Sequence, residues 1–171
     1  VKVSALGHDV AVTAVRAGND DLKLISWDVP LGLGSITRLN DTGTAAGEAS
    51  NIAMTVLYDN MLITAVKDGS DNLKLISWRL EADGTMPRLK DSEGQAGEVQ
   101  LVTIVAVDAN NVVTAVKDGS DNLKLIGWKV SAVDGSFERW ANDGEAGEVR
   151  EIALMSLGSD GATTTMITAV K

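Results

Sequence analysis

The chain has no cysteine and a single histidine among its 171 residues. Disulfides, thiolate metal sites and cysteine nucleophiles are therefore excluded. With His8 as the sole imidazole, a histidine metal cluster has nothing to draw on, and beside Asp9 this residue reads as an exposed turn residue, not a ligand or a catalytic base. Cationic side chains are outnumbered, 15 against 24 acids, for a formal net charge of −9. Nucleic acid needs a basic surface to neutralise its phosphates, so it is disfavoured as a partner. Anionic membrane surfaces are disfavoured for the same reason. No apolar run approaches the roughly 18 residues that a membrane-spanning helix requires, so membrane insertion is not expected. Neither a Gly-x-Ser-x-Gly elbow nor a phosphate-binding loop is present. Val1-Lys2-Val3 carries no signal-peptide pattern, and the absent initiator Met reads as processing or truncation. The compartment stays open, with secreted, periplasmic or cell-surface settings favoured.

What the chain does have is an internal repeat. Thr-Ala-Val begins at Thr13, Thr64, Thr114 and Thr168, at intervals of 51, 50 and 54. Leu-Lys-Leu-Ile-(Ser/Gly)-Trp ends at Trp27, Trp78 and Trp128. Ala-Gly-Glu ends at Glu48, Glu98 and Glu148, and an arginine stands late in each unit at Arg38, Arg88 and Arg139. The order never changes, so the sequence divides into units 1–50, 51–100 and 101–150 and a half-unit 151–171.

Each full unit reads as four antiparallel strands. In the third they are predicted at Leu101–Val107, Val112–Lys117, Leu123–Val130 and Phe137–Trp140. The turns between them are built from Asp, Asn, Gly and Ser, which tolerate positive φ or bond their own backbone. The third strand is apolar on both faces: Leu73, Leu75 and Ser77 on one, Ile76, Trp78 and Leu80 on the other. Such a strand is expected to be covered on both sides, as in a ring of small sheets.

On these residues the whole chain resembles β-propeller repeat proteins. That resemblance implies an all-β fold of four-stranded blades, three and a half per chain, with a sandwich or β-solenoid as the alternative. The Gly-His…Trp-Asp pair of WD repeats and the double glycine of kelch repeats are absent. The repeated Trp and the repeat length are similar to tachylectin-like lectin propellers. Three and a half blades do not close a ring of the usual four to eight. A second copy or a complementing chain is therefore expected, and two copies would make a seven-bladed ring. Against simple head-to-tail pairing, both termini offer strands one and two.

Loop parity places the two–three turns and the inter-unit segments on one face, which collects acids: Asp68, Asp71, Asp91, Glu93 and Glu98, then Asp118, Asp121, Asp143, Glu145 and Glu148. Lys67 and Lys117 stand beside the turns as compensating charges. Asp68-Gly69-Ser70-Asp71-Asn72 recurs unchanged at Asp118–Asn122. Its alternating oxygens, on Asp68, Ser70 and Asn72 and on Asp118, Ser120 and Asn122, are similar to the start of the calcium loops of integrin-type propellers. The match departs where Leu73 and Leu123 replace the expected glycine, and no closing bidentate Glu follows. An ordinary hairpin turn is the competing reading. No cofactor is required, and calcium is the one candidate ion.

Trp27, Trp78 and Trp128, with Glu48, Glu98 and Glu148, are the candidate ligand-binding residues. Sugar stacking competes with plain packing of the indoles between units. The arginines are expected to pair with acids on the outer strands, and Trp140 reads as a packing variant of Leu39 and Leu89. Acids that recur with every unit argue against a catalytic centre, which is ordinarily unique. The expectation is a non-catalytic binding or scaffold propeller for a glycan or other neutral polar ligand. A structural or protein-interaction propeller is the alternative, and a carboxylate-pair glycoside hydrolase comes last.

Overall fold

A computed structural model describes the backbone of residues 1–171 apart from 1, 7–8, 31, 33, 44–45, 59, 93–95, 144–146 and 160–163. Side chains are described for the same residues, less 2–6, 58, 157–159, 164–167 and 169–170. His8, Glu93 and Glu145 thus lie outside the described residues.

The described chain is all β. The first sheet holds β1 (Lys2–Leu6), β2 (Val10–Arg16), β3 (Leu22–Asp28) and β4 (Thr37–Asp41), in that spatial order. The second holds β5 (Ala49–Tyr58), β6 (Met61–Asp68), β7 (Leu73–Arg79) and β8 (Arg88–Asp91). The third holds β9 (Val99–Ala106), β10 (Asn111–Asp118), β11 (Leu123–Val130) and β12 (Phe137–Asp143). A two-stranded sheet pairs β13 (Ile152–Ser159) with β14 (Thr164–Val170). Pairing is antiparallel throughout, as strands joined by short turns must be.

Each four-stranded sheet kinks at one repeated place. The register between strands three and four slips after Ser26, Ser77 and Gly127. Such a bulge inserts an unpaired residue and bends the outer strand. Strand four of the third sheet runs to Asp143, beyond the predicted end at Trp140.

The cores lie between sheets. Val12, Ala14, Leu22 and Leu24 of the first sheet share a cluster with Leu62, Ile76, Trp78 and Met86 of the second. Ile63, Ala65, Leu73 and Leu75 of the second share another with Val112, Ile126, Trp128 and Val130 of the third. The two-stranded sheet adds Ile152 and Leu154 against Ala115, Leu123 and Leu125. Fully burying one such side chain stabilises by about 1.5–3 kcal/mol. The two-sided burial expected of strand three holds in β7, where Leu73, Leu75, Ser77, Ile76 and Trp78 are all at 0% exposure. In β3 only the Leu22, Leu24 and Ser26 face is fully closed, and Ile25 and Trp27 are half-buried. The second sheet has a four-stranded neighbour on both sides, whereas the third has only the two-stranded sheet on its far side, so β7 alone is sealed on both.

Candidate interaction face

The Asp-Gly-Ser-Asp-Asn turns and the Ala-Gly-Glu segments form one surface. Isolated bridges tie Asp21 to Glu48, Asn72 to Glu98 and Asn122 to Glu148. In the second unit Leu73 N–H donates to Gly97 O at 2.9 Å, and Val99 N–H donates to Asp71 O at 2.8 Å. The third unit repeats this with Leu123 to Gly147 at 3.0 Å and Val149 to Asp121 at 2.9 Å. Asp20, Asp71 and Asp121 adopt φ of 65–69°, and Gly47, Gly97 and Gly147 adopt φ of 70–73°. Left-handed backbone of this kind favours Gly and tolerates Asp, which accounts for both motifs.

The turn carboxylates are engaged locally. Asp68 Oδ1 accepts from Ser70 N–H at 2.9 Å and Asn72 N–H at 3.0 Å, and Asp118 does the same for Ser120 and Asn122. Asn72 points its amide N–H at Ser70 O, 3.2 Å away. These are the bonds of a self-capped turn. Among the described residues no group of three or more His, Asp or Glu gathers as a metal cluster. Lys67 pairs with Asp71 at 2.7 Å and Lys117 with Asp121 at 2.8 Å, so the predicted compensation is in place. Lys117 also holds the Asp121 carboxyl below its ordinary range.

Glu48, Glu98 and Glu148 are exposed. Glu48 leans over the next turn, where a Cβ on Gly69 would lie 2.6 Å from its Oε2. Glu98 repeats the contact at Gly119, 3.0 Å from its Cδ. The Ala-Gly-Glu carboxylates thus link one turn to the next around this face.

The tryptophans divide into two classes. Trp78 and Trp128 are at 0% exposure, and each indole N–H donates at 3.0 Å to a threonine of strand two, Thr64 or Thr114. Neither ring presents a face to solvent. Trp27 makes the same bond to Thr13 at 2.9 Å but stays half-buried, in an open apolar pocket with Ala11, Thr13, Val29 and Ile36.

In the first two units the outer strands carry the expected ion pairs. Arg38 with Asp41 and Arg88 with Asp91 are joined by Lys23 and Lys74.

Two relationships were not foreseen from the sequence. Ser26 Oγ donates to Gly84 O at 2.7 Å and Ser77 Oγ to Gly135 O at 2.8 Å, each reaching the three–four turn of the following sheet. The equivalent third-unit residue is Gly127, where a Cβ would fall 2.5 Å from Trp140 Cε2. Trp140 lies over this glycine and remains 58% exposed, so its larger ring packs where the first two units pair a serine with a leucine. The offsets of 51 and 50 residues aligning Ser26, Ser77 and Gly127 were legible, but the hydroxyl's target in another unit was not.

No helix among the described residues is long and apolar enough to cross a membrane. No protein-family model matches the chain, and no curated protein matches it in sequence. Among solved structures it is similar to Saccharomyces cerevisiae Sqt1, with a TM-score of 0.62 at 14% identity. The match covers 95% of this chain but 39% of that one. Sqt1 is a WD40-repeat protein, and likeness at this identity speaks to fold alone, so the sheets described here are propeller-like blades.

Proposed function

We propose that this chain is part of a non-catalytic β-propeller that binds other proteins through its turn-bearing acidic face. The observation that carries the reading is the repeated pairing of each Asp-Gly-Ser-Asp-Asn turn with the following Ala-Gly-Glu segment. It makes a firm, exposed surface from loops that would otherwise be mobile, which suits docking. Asp68, Asp71, Glu98, Asp118, Asp121 and Glu148 outweigh Lys67 and Lys117 there, so a basic protein surface is the complementary partner. The acids recur with the blades, which supports binding over chemistry.

A glycan or other neutral polar ligand is the second reading. It draws support from Trp27, whose ring alone among the three repeated tryptophans keeps solvent access.

Photo-crosslinkers at Ser70 and Ser120 test the first reading against Asp83 and Asn110 on the opposite face. Capture of a discrete protein partner from the first pair alone is the expected result. Capture from the opposite face alone would overturn it. Binding on a glycan array that is lost on Trp27→Ala would move the assignment to the second reading.

A further inference from the structure

The first and second sheets, each complete with four strands, meet around an open recess of about 310 Å3. Val10 and Leu39 of the first sheet line it, facing Leu80, Glu81 and Ala82 beside the three–four turn of the second. Asp28 pairs with Val10 across β2 and β3. It shares a sheet face with Ser26, two residues earlier, whose Oγ reaches Gly84 O of the second sheet. The contact between the second and third sheets shows how such a recess is filled. There Met61 stands for Val10 and Arg79 for Asp28, again as a cross-strand pair. Met61 is 2% exposed in the core between those sheets, and Arg79 Nη2 reaches Val133 O at 3.5 Å. Val133 stands two residues before the turn glycine Gly135, as Ala82 stands two before Gly84. The first contact thus has a short valine in place of the long methionine and a carboxylate in place of the guanidinium. Among the described residues neither Asp28 nor Glu81 has a hydrogen bond or ion pair to its carboxylate.

We propose that this recess is a binding site for a small alkylguanidinium or alkylammonium compound. Its stem lies against Val10, Leu39 and Leu80, and its cationic head meets Asp28, Glu81 and the Ala82 carbonyl. The ligand supplies from solution the group that Arg79 supplies from within the chain at the next contact. Charge-assisted hydrogen bonds to carboxylates hold the head, and the stem gains by leaving water. Small-molecule pockets start at about 300 Å3, so a short stem is the one that fits. The recess lies by the three–four turn, on the face opposite the acidic turns, and is independent of protein docking there.

Calorimetric titration of the full chain with n-butylguanidinium tests this, with n-butanol as the neutral probe. The guanidinium is expected to bind at a single site, about tenfold or more tighter than the alcohol. Equal affinities would overturn the cationic assignment. Asp28→Asn should weaken guanidinium binding by about tenfold with circular dichroism unchanged. Val10→Met combined with Asp28→Arg reproduces the second contact and should abolish binding. Glu138→Gln, at an exposed position of the third sheet, should leave it unchanged. Absence of guanidinium binding, or binding indifferent to the Asp28 variants, overturns the site. Tighter binding of the peptide Gly-Gly-Arg-Gly-Gly than of n-butylguanidinium would overturn a small-molecule ligand in favour of an arginine side chain.

Discussion

Ser77 Oγ donates a buried 2.8 Å hydrogen bond to Gly135 O, joining strand three of one blade to the three–four turn of the next. The same oxygen accepts from Lys90 N–H at 3.1 Å beside the bulge in its own sheet. One hydroxyl therefore fixes the bend of strand four and the spacing of two blades. Ser77→Ala leaves both backbone groups without that partner, and a loss of about 1–3 kcal/mol is expected in urea unfolding. A change below a few tenths would show that water replaces the hydroxyl.

Thr64 and Thr13 occupy equivalent positions but differ in what surrounds their tryptophans. Thr64→Val leaves the fully buried indole N–H of Trp78 without an acceptor, at a cost of about 1–3 kcal/mol. Thr13→Val affects a half-buried ring that water can reach, so its cost should be clearly smaller. Paired denaturation midpoints of the two variants check the order.

Gly127 and Trp140 should behave as a coupled pair. Gly127→Ser drives a Cβ into the indole and is expected to destabilise on its own. Combined with Trp140→Leu, it rebuilds the Ser–Leu arrangement of the first two blades. A double-mutant cycle should then return a favourable coupling of about 0.5–3 kcal/mol. Simple additivity would mean that the ring does not rest on the glycine.

Acid should loosen the turns. Hydroxyls of Ser131 and Ser136 hold the Asp134 carboxyl down at about 2, and Thr85 lowers that of Asp83. A carboxylate whose pKa is depressed by folding stabilises above its unfolded value, about 3.9, and that stabilisation is lost as pH falls through the folded value. The melting temperature should thus be insensitive to these groups from neutral pH to about 5, then fall between about pH 4 and 2. Asp134→Asn should flatten that acid limb; an unchanged limb would remove Asp134 from the account.

Calcium should matter little to stability. Asp68 and Asp118 already accept two backbone N–H bonds each within their own turns. A bound ion would raise the melting temperature by mass action, so a melt unaffected by chelator is the expected outcome. A chelator-sensitive melt that Asp68→Ala abolishes would instead establish these turns as ion sites.

The strand-and-turn plan was legible because its causes are local. Leu123–Val130 was predicted and found at the same limits, since period and turn residues fix where a strand stops. The positive φ at Asp71 and Gly97 follows from the residue types that tolerate it. The ion pairs of Arg38 and Arg88 are three residues apart on one strand and could be anticipated.

The sequence by itself determined the repeat, the strand order and the turn chemistry, because each depends on neighbours within a few residues. Only the tertiary structure decided that Trp27 is open while Trp78 and Trp128 are sealed, though the three sit in nearly identical segments. It also decided that Ser26 and Ser77 serve the next blade, and that Trp140 fills the gap where Gly127 has no side chain. The physical reason is that burial belongs to the pair of sheets in contact, and identical residues differ once one of them lacks a neighbour on that side.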